Sequence, residues 1–263
     1  MDIPHYETAV IVGAGEGISA SLTRLLARQG LRVALAARNT AKLAALCEET
    51  GAKAFACDAT NAAEVARLFV DAEQQIGQLD VAVYNASLRA RGAFVELKPD
   101  DVAQSIAVSA FDGFLVAQQA LQRMLPRQHG ALLFTGASAS IKGFAQSAPF
   151  AMGKFALRGM AQSLAREFAP QGIHVAHFVI DGGIRSSVRP VPADRPDSLL
   201  DRNATARATS CGSTRRPKGC FAAASASQSG LRPWNSRWMR SSPSVAIQPI
   251  FRPLTRMRLR SSA

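Results

Sequence analysis

The chain has 263 residues, 48% of them hydrophobic, enough to bury a full core. Its net charge of +12 is confined to one end: residues through Ile184 carry 16 Lys/Arg against 16 Asp/Glu, leaving 15 of the 31 basic and 3 of the 19 acidic residues for Arg185 onward. That distribution argues against nucleic acid as the partner of the folded part. No apolar run approaches the roughly 18 residues of a membrane span, and Met1 to Glu7 lacks the order of a secretory signal, so a cytoplasmic protein with no membrane partner is expected.

In chain order, short apolar runs alternate with helical patterns from Thr8 to about Val179. Strands are expected at Thr8–Val12, Arg32–Ala36, Lys53–Cys57, Asp80–Tyr84, Ala131–Thr135 and His174–Val179. Helices are expected at Glu16–Arg28, Thr40–Glu49, Ala62–Gln75, Pro99–Met124 and Ala148–Ala169, the last with Leu157, Met160, Leu164 and Phe168 in one stripe. Strands alternating with helices give an α/β class and a doubly wound, Rossmann-like parallel sheet in a single domain. Cys47, Cys57, Cys211 and Cys220 show no C-x-x-C pairing and no histidine at metal spacing, so reduced thiols and no metal site are expected.

After about Arg185 the periodicity stops, and no acidic residue follows Asp201. The expected division is a nucleotide-binding domain over residues 1–187 and a basic Arg/Ser/Pro-rich, largely disordered tail over 188–263. Two accounts of the tail stay open: an interaction segment, or out-of-frame translation of a GC-rich gene.

The first strand runs into Val12-Gly13-Ala14-Gly15-Glu16-Gly17-Ile18-Ser19 and then a helix, the context in which glycines let backbone N–H groups approach a pyrophosphate. With Tyr84-Asn85-Ala86-Ser87 after the fourth strand and Phe150-x-x-x-Lys154 on a later helix, the set resembles the short-chain dehydrogenase/reductase family. The resemblance covers roughly Thr8 to Ser187. It implies an oxidoreductase transferring hydride between NADP(H) and a small carbonyl or alcohol substrate, and a homodimer or homotetramer built through the two long helices.

The resemblance also assigns residues. Gly13, Gly15, Gly17 and Ile18 form the phosphate turn, with Ser19 where the family's last glycine stands. Arg38, with no acid at the end of the second strand, favours NADP over NAD by pairing with a 2′-phosphate, or is a plain surface arginine. Asp58 contacts adenine or opens the helix at Ala62; Asn85 and Ala86 belong to the cofactor-side turn; and Gly182, after Asp181, follows the position of the family's nicotinamide-side proline. Lys154 matches the family lysine, which holds the nicotinamide ribose. Phe150 stands where the catalytic tyrosine belongs, Ser109 where the asparagine belongs, and the catalytic serine aligns with Ser138 or, at strict spacing, with Ala137. A missing general acid costs about 10²- to 10⁴-fold, or about 3 to 5 kcal/mol of barrier, unless water, Lys154 or Tyr84 supplies the proton. The alternative is a non-catalytic nucleotide-binding protein that has lost the tyrosine.

Overall fold

The computed structural model describes residues 5–184 and 199–207, together with the backbone of 223–224 and 244–247. The chain alternates β1 (Thr8–Val12), α1 (Ile18–Arg28), β2 (Arg32–Ala37), α2 (Ala44–Thr50), β3 (Lys53–Ala56), α3 (Ala62–Ile76) and β4 (Val81–Tyr84). It continues through α4 (Pro99–Ile106), α5 (Asp112–Met124), β5 (Gly130–Thr135), α6 (Ala148–Phe168) and β6 (Ile173–Asp181). These six strands lie parallel in the order β3-β2-β1-β4-β5-β6, the doubly wound arrangement expected.

Apart from the exposed edge strand β3, the sheet is buried on both faces, which is why its strands read as continuous apolar runs. All five residues of β1 are buried, and their alternation divides the core. Ala9 and Ile11 pack with Leu22, Leu26, Leu43 and Leu46 beneath α1 and α2. Val10 and Val12 join Val65, Phe69, Val116, Met124 and Leu157 beneath α3, α5 and α6. Among the described residues no helix is long and apolar enough to cross a membrane.

Three elements depart from expectation. The helix expected over Pro99–Met124 is interrupted by a π-helical segment at Ala107–Phe111. The helix expected from Thr40 opens as a 3₁₀ turn at Ala41–Leu43, and Gly51, at φ 72°, ends α2 in the left-handed conformation. The helix expected from Glu16 begins at Ile18, so Glu16 and Gly17 belong to the turn before it.

The chain also returns to the domain beyond 187. β7 (Gly183–Ile184) pairs in parallel with β8 (Leu199–Leu200), and residues 202–207 form a helical turn. Leu200 packs with Ile180, Ala206 enters the core beneath α1, and the Arg202 guanidinium donates to the Glu16 carbonyl at 3.0 Å. Segments this short are too brief for hydrophobic periodicity to reveal. Farther on, β9 (Ala223–Ala224) and β10 (Ser244–Ile247) extend the sheet, β10 running antiparallel to β6. The rest of the expected tail lies outside the described residues.

Candidate active site

The carboxyl ends of β1, β2 and β4 meet at the glycine turn. Gly13 has φ +84°, and a Cβ there would lie 2.4 Å from the Ala86 nitrogen, so only glycine permits the two loops to touch. Its N–H and that of Ala14 donate to the Ala36 carbonyl at 3.1 and 3.0 Å. Asn85 locks the other side: its Nδ2 donates to Ser19 Oγ at 2.8 Å and to the Gly13 carbonyl at 3.2 Å. Ser19 Oγ donates to that same carbonyl, so a serine in place of glycine is used as a brace rather than merely tolerated. Gly15 and Gly17 face open space, and α1 starts at Ile18 with no side-chain cap. Its first N–H groups, with the positive end of the helix dipole, form a cradle of the shape and charge that a pyrophosphate fits.

Arg38 is exposed after β2. The Asp58 carboxylate accepts from Thr60 N at 3.0 Å and from Thr60 Oγ1 at 2.9 Å. Those bonds, with a smaller contribution from Arg38, hold its carboxyl below the usual range. The alternative in which Asp58 opens α3 is corrected: Asn61 is the N-cap, its Oδ1 accepting from Ala63 and Glu64 N–H.

The carboxyl ends of β4 and β5 and the start of α6 form the second half of the site. Lys154 is 2% exposed, and its Nζ donates to the Thr135 carbonyl at 2.9 Å. Burial, and then the nearby Arg89, push its pKa down to about 7. The ring of buried Phe150 lies 5.8 Å from Lys154 Nζ and only 4.1 Å from the Arg89 guanidinium carbon. Ser138 opens a 3₁₀ turn and is half-buried, while the buried Ser140 hydroxyl accepts from the Ala137 N–H at 3.1 Å. Ser109 is fully buried on the π segment, its hydroxyl 3.4 Å from the Leu88 carbonyl. A Cβ on Gly153 would come within 2.5 Å of Ser109 Cβ, so α6 presses directly on that segment. Gly182, at φ +145°, makes the turn between β6 and β7.

One substitute acid is eliminated. Tyr84 is 1% exposed, and its hydroxyl donates to the Val108 carbonyl at the π segment. Burial raises its pKa well above the usual phenol value, so it serves packing rather than proton delivery.

Three groups without a sequence signature also belong to this region: Arg89, His177 and Asp112. Both ring nitrogens of His177 and both carboxylate oxygens of Asp112 are buried without a hydrogen-bond partner. Burial, then the Lys154 and Arg158 charges, push His177 down to about 3, so it is neutral. Burial, with a smaller contribution from Asp58, pushes Asp112 up to about 6. Unfolding lets Asp112 ionise nearer 3.8; the folded state therefore carries no penalty below that pH, a growing one up to about 6, and the full one above. We predict that Asp112→Asn stabilises the protein by about 1–2 kcal/mol at pH 7.5 and by nothing at pH 4, measured as urea midpoints. Equal midpoint shifts at both pH values would refute this account.

Residues 7–190 match the short chain dehydrogenase family. An uncharacterized oxidoreductase of Staphylococcus aureus is 31% identical over 209 residues, 74% of this chain and 89% of its own. The 3-oxoacyl-acyl-carrier-protein reductase of Homo sapiens is 26% identical over 171 residues, 64% of this chain and 72% of its own. A solved short-chain dehydrogenase from Rhodopseudomonas palustris superposes with a TM-score of 0.63 at 33% identity, covering 67% of this chain and 85% of that one. Actinorhodin polyketide ketoreductase, solved with NADPH, shares the fold at a TM-score of 0.72 and 24% identity, over 78% and 89% of the two chains. Sheet order, glycine turn and matched span agree: the chain belongs to the short chain dehydrogenase family of oxidoreductases.

Proposed function

We propose that the protein reduces a carbonyl with NADPH, or oxidises the corresponding alcohol with NADP, and that Lys154 delivers the proton that Phe150 cannot. The observation that carries this reading is the Lys154 amine, buried beside the Phe150 ring with a pKa near 7 and the Thr135 carbonyl as its protein hydrogen-bond partner. When bound, the nicotinamide dinucleotide supplies or accepts the hydride. Gly13, Gly15, Gly17 and Ile18 take its pyrophosphate, Arg38 its 2′-phosphate, Asp58 its adenine side, and Asn85, Ala86 and Gly182 border the remainder. Ser138 orients the substrate oxygen, and Ser109 backs the site through the π segment. As hydride reaches the carbonyl carbon, the C=O π pair moves to oxygen, and an N–H proton of the Lys154 ammonium transfers there. The neutral amine left behind is reprotonated from solvent. A donor near neutrality suits that role, because it is protonated and yet acidic enough to give the proton up.

A titration following nicotinamide fluorescence tests the cofactor assignment. NADPH is expected to bind at micromolar affinity and NADH at least about tenfold more weakly, with Arg38→Ala erasing the difference. Equal binding of the two by the wild-type chain would remove Arg38 from the site.

A second reading, a nucleotide-binding protein without turnover, draws on Phe150, whose ring carries no ionisable atom. Binding of NADPH with no oxidation across varied carbonyls would favour it. The exposed, stacked Phe111 and Phe114, with exposed Met152 and Phe155 on α6, supply an apolar surface for the homodimer or homotetramer we also propose. The packing of 199–207 argues for drawing the domain edge after Arg207 rather than at 187. We propose a frame shift as the origin of the acid-free sequence beyond; sequencing the coding DNA near codon 202 tests it.

A further inference from the structure

We infer that Arg202 is a positioning residue of the cofactor site: it holds the glycine turn before α1 in the form that receives a pyrophosphate. The inference rests on the proposed dinucleotide binding and adds residues 199–207 to the elements that perform it.

The two ends of the turn are tied from within the nucleotide-binding half. Gly13 and Ala14 donate to the Ala36 carbonyl, and Ser19 is braced by Asn85. The middle is looser. Gly15 and Gly17 face open space, and Gly17 caps α1 without a side-chain bond. The Gly17 carbonyl accepts the Ser21 N–H only at 3.4 Å, at the long end of the range for such a bond. Two glycines in three residues leave this stretch many conformations, and a ligand that needs one of them binds more weakly by the cost of ordering it.

The 199–207 segment reaches the turn on both sides of Gly17. On one side the Arg202 guanidinium donates to the Glu16 carbonyl at 3.0 Å, a tie between residues 186 positions apart. On the other, Ile18, the first residue of α1, packs with Ile184 against the buried pair Ile180 and Leu200. The Glu16–Gly17 peptide is trans and planar, so a fixed Glu16 carbonyl also fixes the Gly17 N–H, which points the opposite way.

Arg202 is itself held in place. The Asp201 carboxylate accepts the Ala204 N–H at 2.7 Å, and its carbonyl accepts the Thr205 N–H at 3.1 Å. The helical turn built on those bonds carries Ala206 into the core beneath α1. Arg24 shares a cavity of about 280 Å³ with Gly15, Glu16, Lys42 and Arg202, but three bonds of 2.7 to 2.9 Å commit its guanidinium to Glu49. It therefore does not replace Arg202 on the Glu16 carbonyl.

The test substitutes Arg202 in the full-length chain and titrates NADPH and NADH by nicotinamide fluorescence. Arg202→Ala is expected to weaken both dinucleotides by the same factor, about fivefold or more, since both carry the pyrophosphate. In carbonyl reduction the loss should appear in the KM for NADPH, with kcat at saturating cofactor unchanged. Arg202→Lys, which keeps a donor, should recover part of the affinity. The loss should also persist at high salt, because the partner of Arg202 is a neutral carbonyl. A loss for NADPH alone, or one that vanishes at high salt, would put Arg202 on a cofactor phosphate and overturn the inference. Unchanged affinity for both dinucleotides would overturn it too. Should the wild type bind neither, the proposed cofactor reading fails, and amide ¹⁵N relaxation of the ligand-free protein still decides this point. Order parameters of Gly15, Gly17 and Ile18 are expected near the rigid-backbone value in the wild type and below about 0.6 in Arg202→Ala. Equal values in the two proteins would show that Arg202 does not hold the turn.

Discussion

Replacing Phe150 by Tyr is expected to raise NADPH-dependent carbonyl reduction by about 10²- to 10³-fold at pH 7, within the usual range for a restored general acid. The ring is already buried in place on α6, and Lys154 Nζ lies 5.8 Å from its centroid, so the added hydroxyl enters the field of an existing cation. A nearby ammonium favours the phenolate, which lowers the tyrosine's pKa and makes it a better donor. The pH profile separates this outcome from a general gain in binding. In the wild type, the protonated form of the Lys154 donor disappears above about pH 7, so reduction should fall as pH rises through that value. In Phe150→Tyr the phenol carries the proton and the plateau should extend upward by at least one pH unit. No gain at any pH, with NADPH binding intact, would show that the buried Ser109 or the Ser138 turn, rather than the missing hydroxyl, limits the chemistry.

Much of the fold was legible because its determinants are local. Each parallel strand except the exposed edge strand β3 is buried on both faces and so appears as an apolar run, whereas the caps at Asn61 and Gly51 went unread beside Asp58 and Glu49. The π segment was not legible, because what surrounds it comes from elsewhere in the chain: the Tyr84 hydroxyl on the Val108 carbonyl and the close approach of Gly153 to Ser109. The glycine turn was readable from spacing, yet the role of Ser19 depends on Asn85, a residue 66 positions away in the sequence. Arg89 gave no signal at all. An isolated arginine in a loop looks like any other until the Phe150 ring is seen beneath it.

Lys154→Met should abolish turnover, by about 10³-fold or more, and at the same time stabilise the fold. These opposite effects follow from one cause. Lys154 is buried with no carboxylate contributing to its shift, and burial holds its pKa near 7 against 10.5 in an exposed lysine. The unfolded chain therefore binds a proton that the folded chain resists. The penalty is complete below about pH 7, shrinks as pH rises, and vanishes above about 10.5. Methionine keeps most of the apolar stem and removes the charge, while the Thr135 carbonyl loses its donor at a cost of about 1 kcal/mol. The net gain is expected to be about 2–4 kcal/mol at pH 6, seen as a Tm several degrees higher, and to approach zero or reverse by pH 10. A protein whose Tm drops at both pH values on this substitution would show that the amine is a structural tie to β5. A rise at pH 6 that fades by pH 10, joined to lost turnover, would mark a strained group retained for chemistry, because a lysine that only destabilises the fold has no other reason to occupy the core.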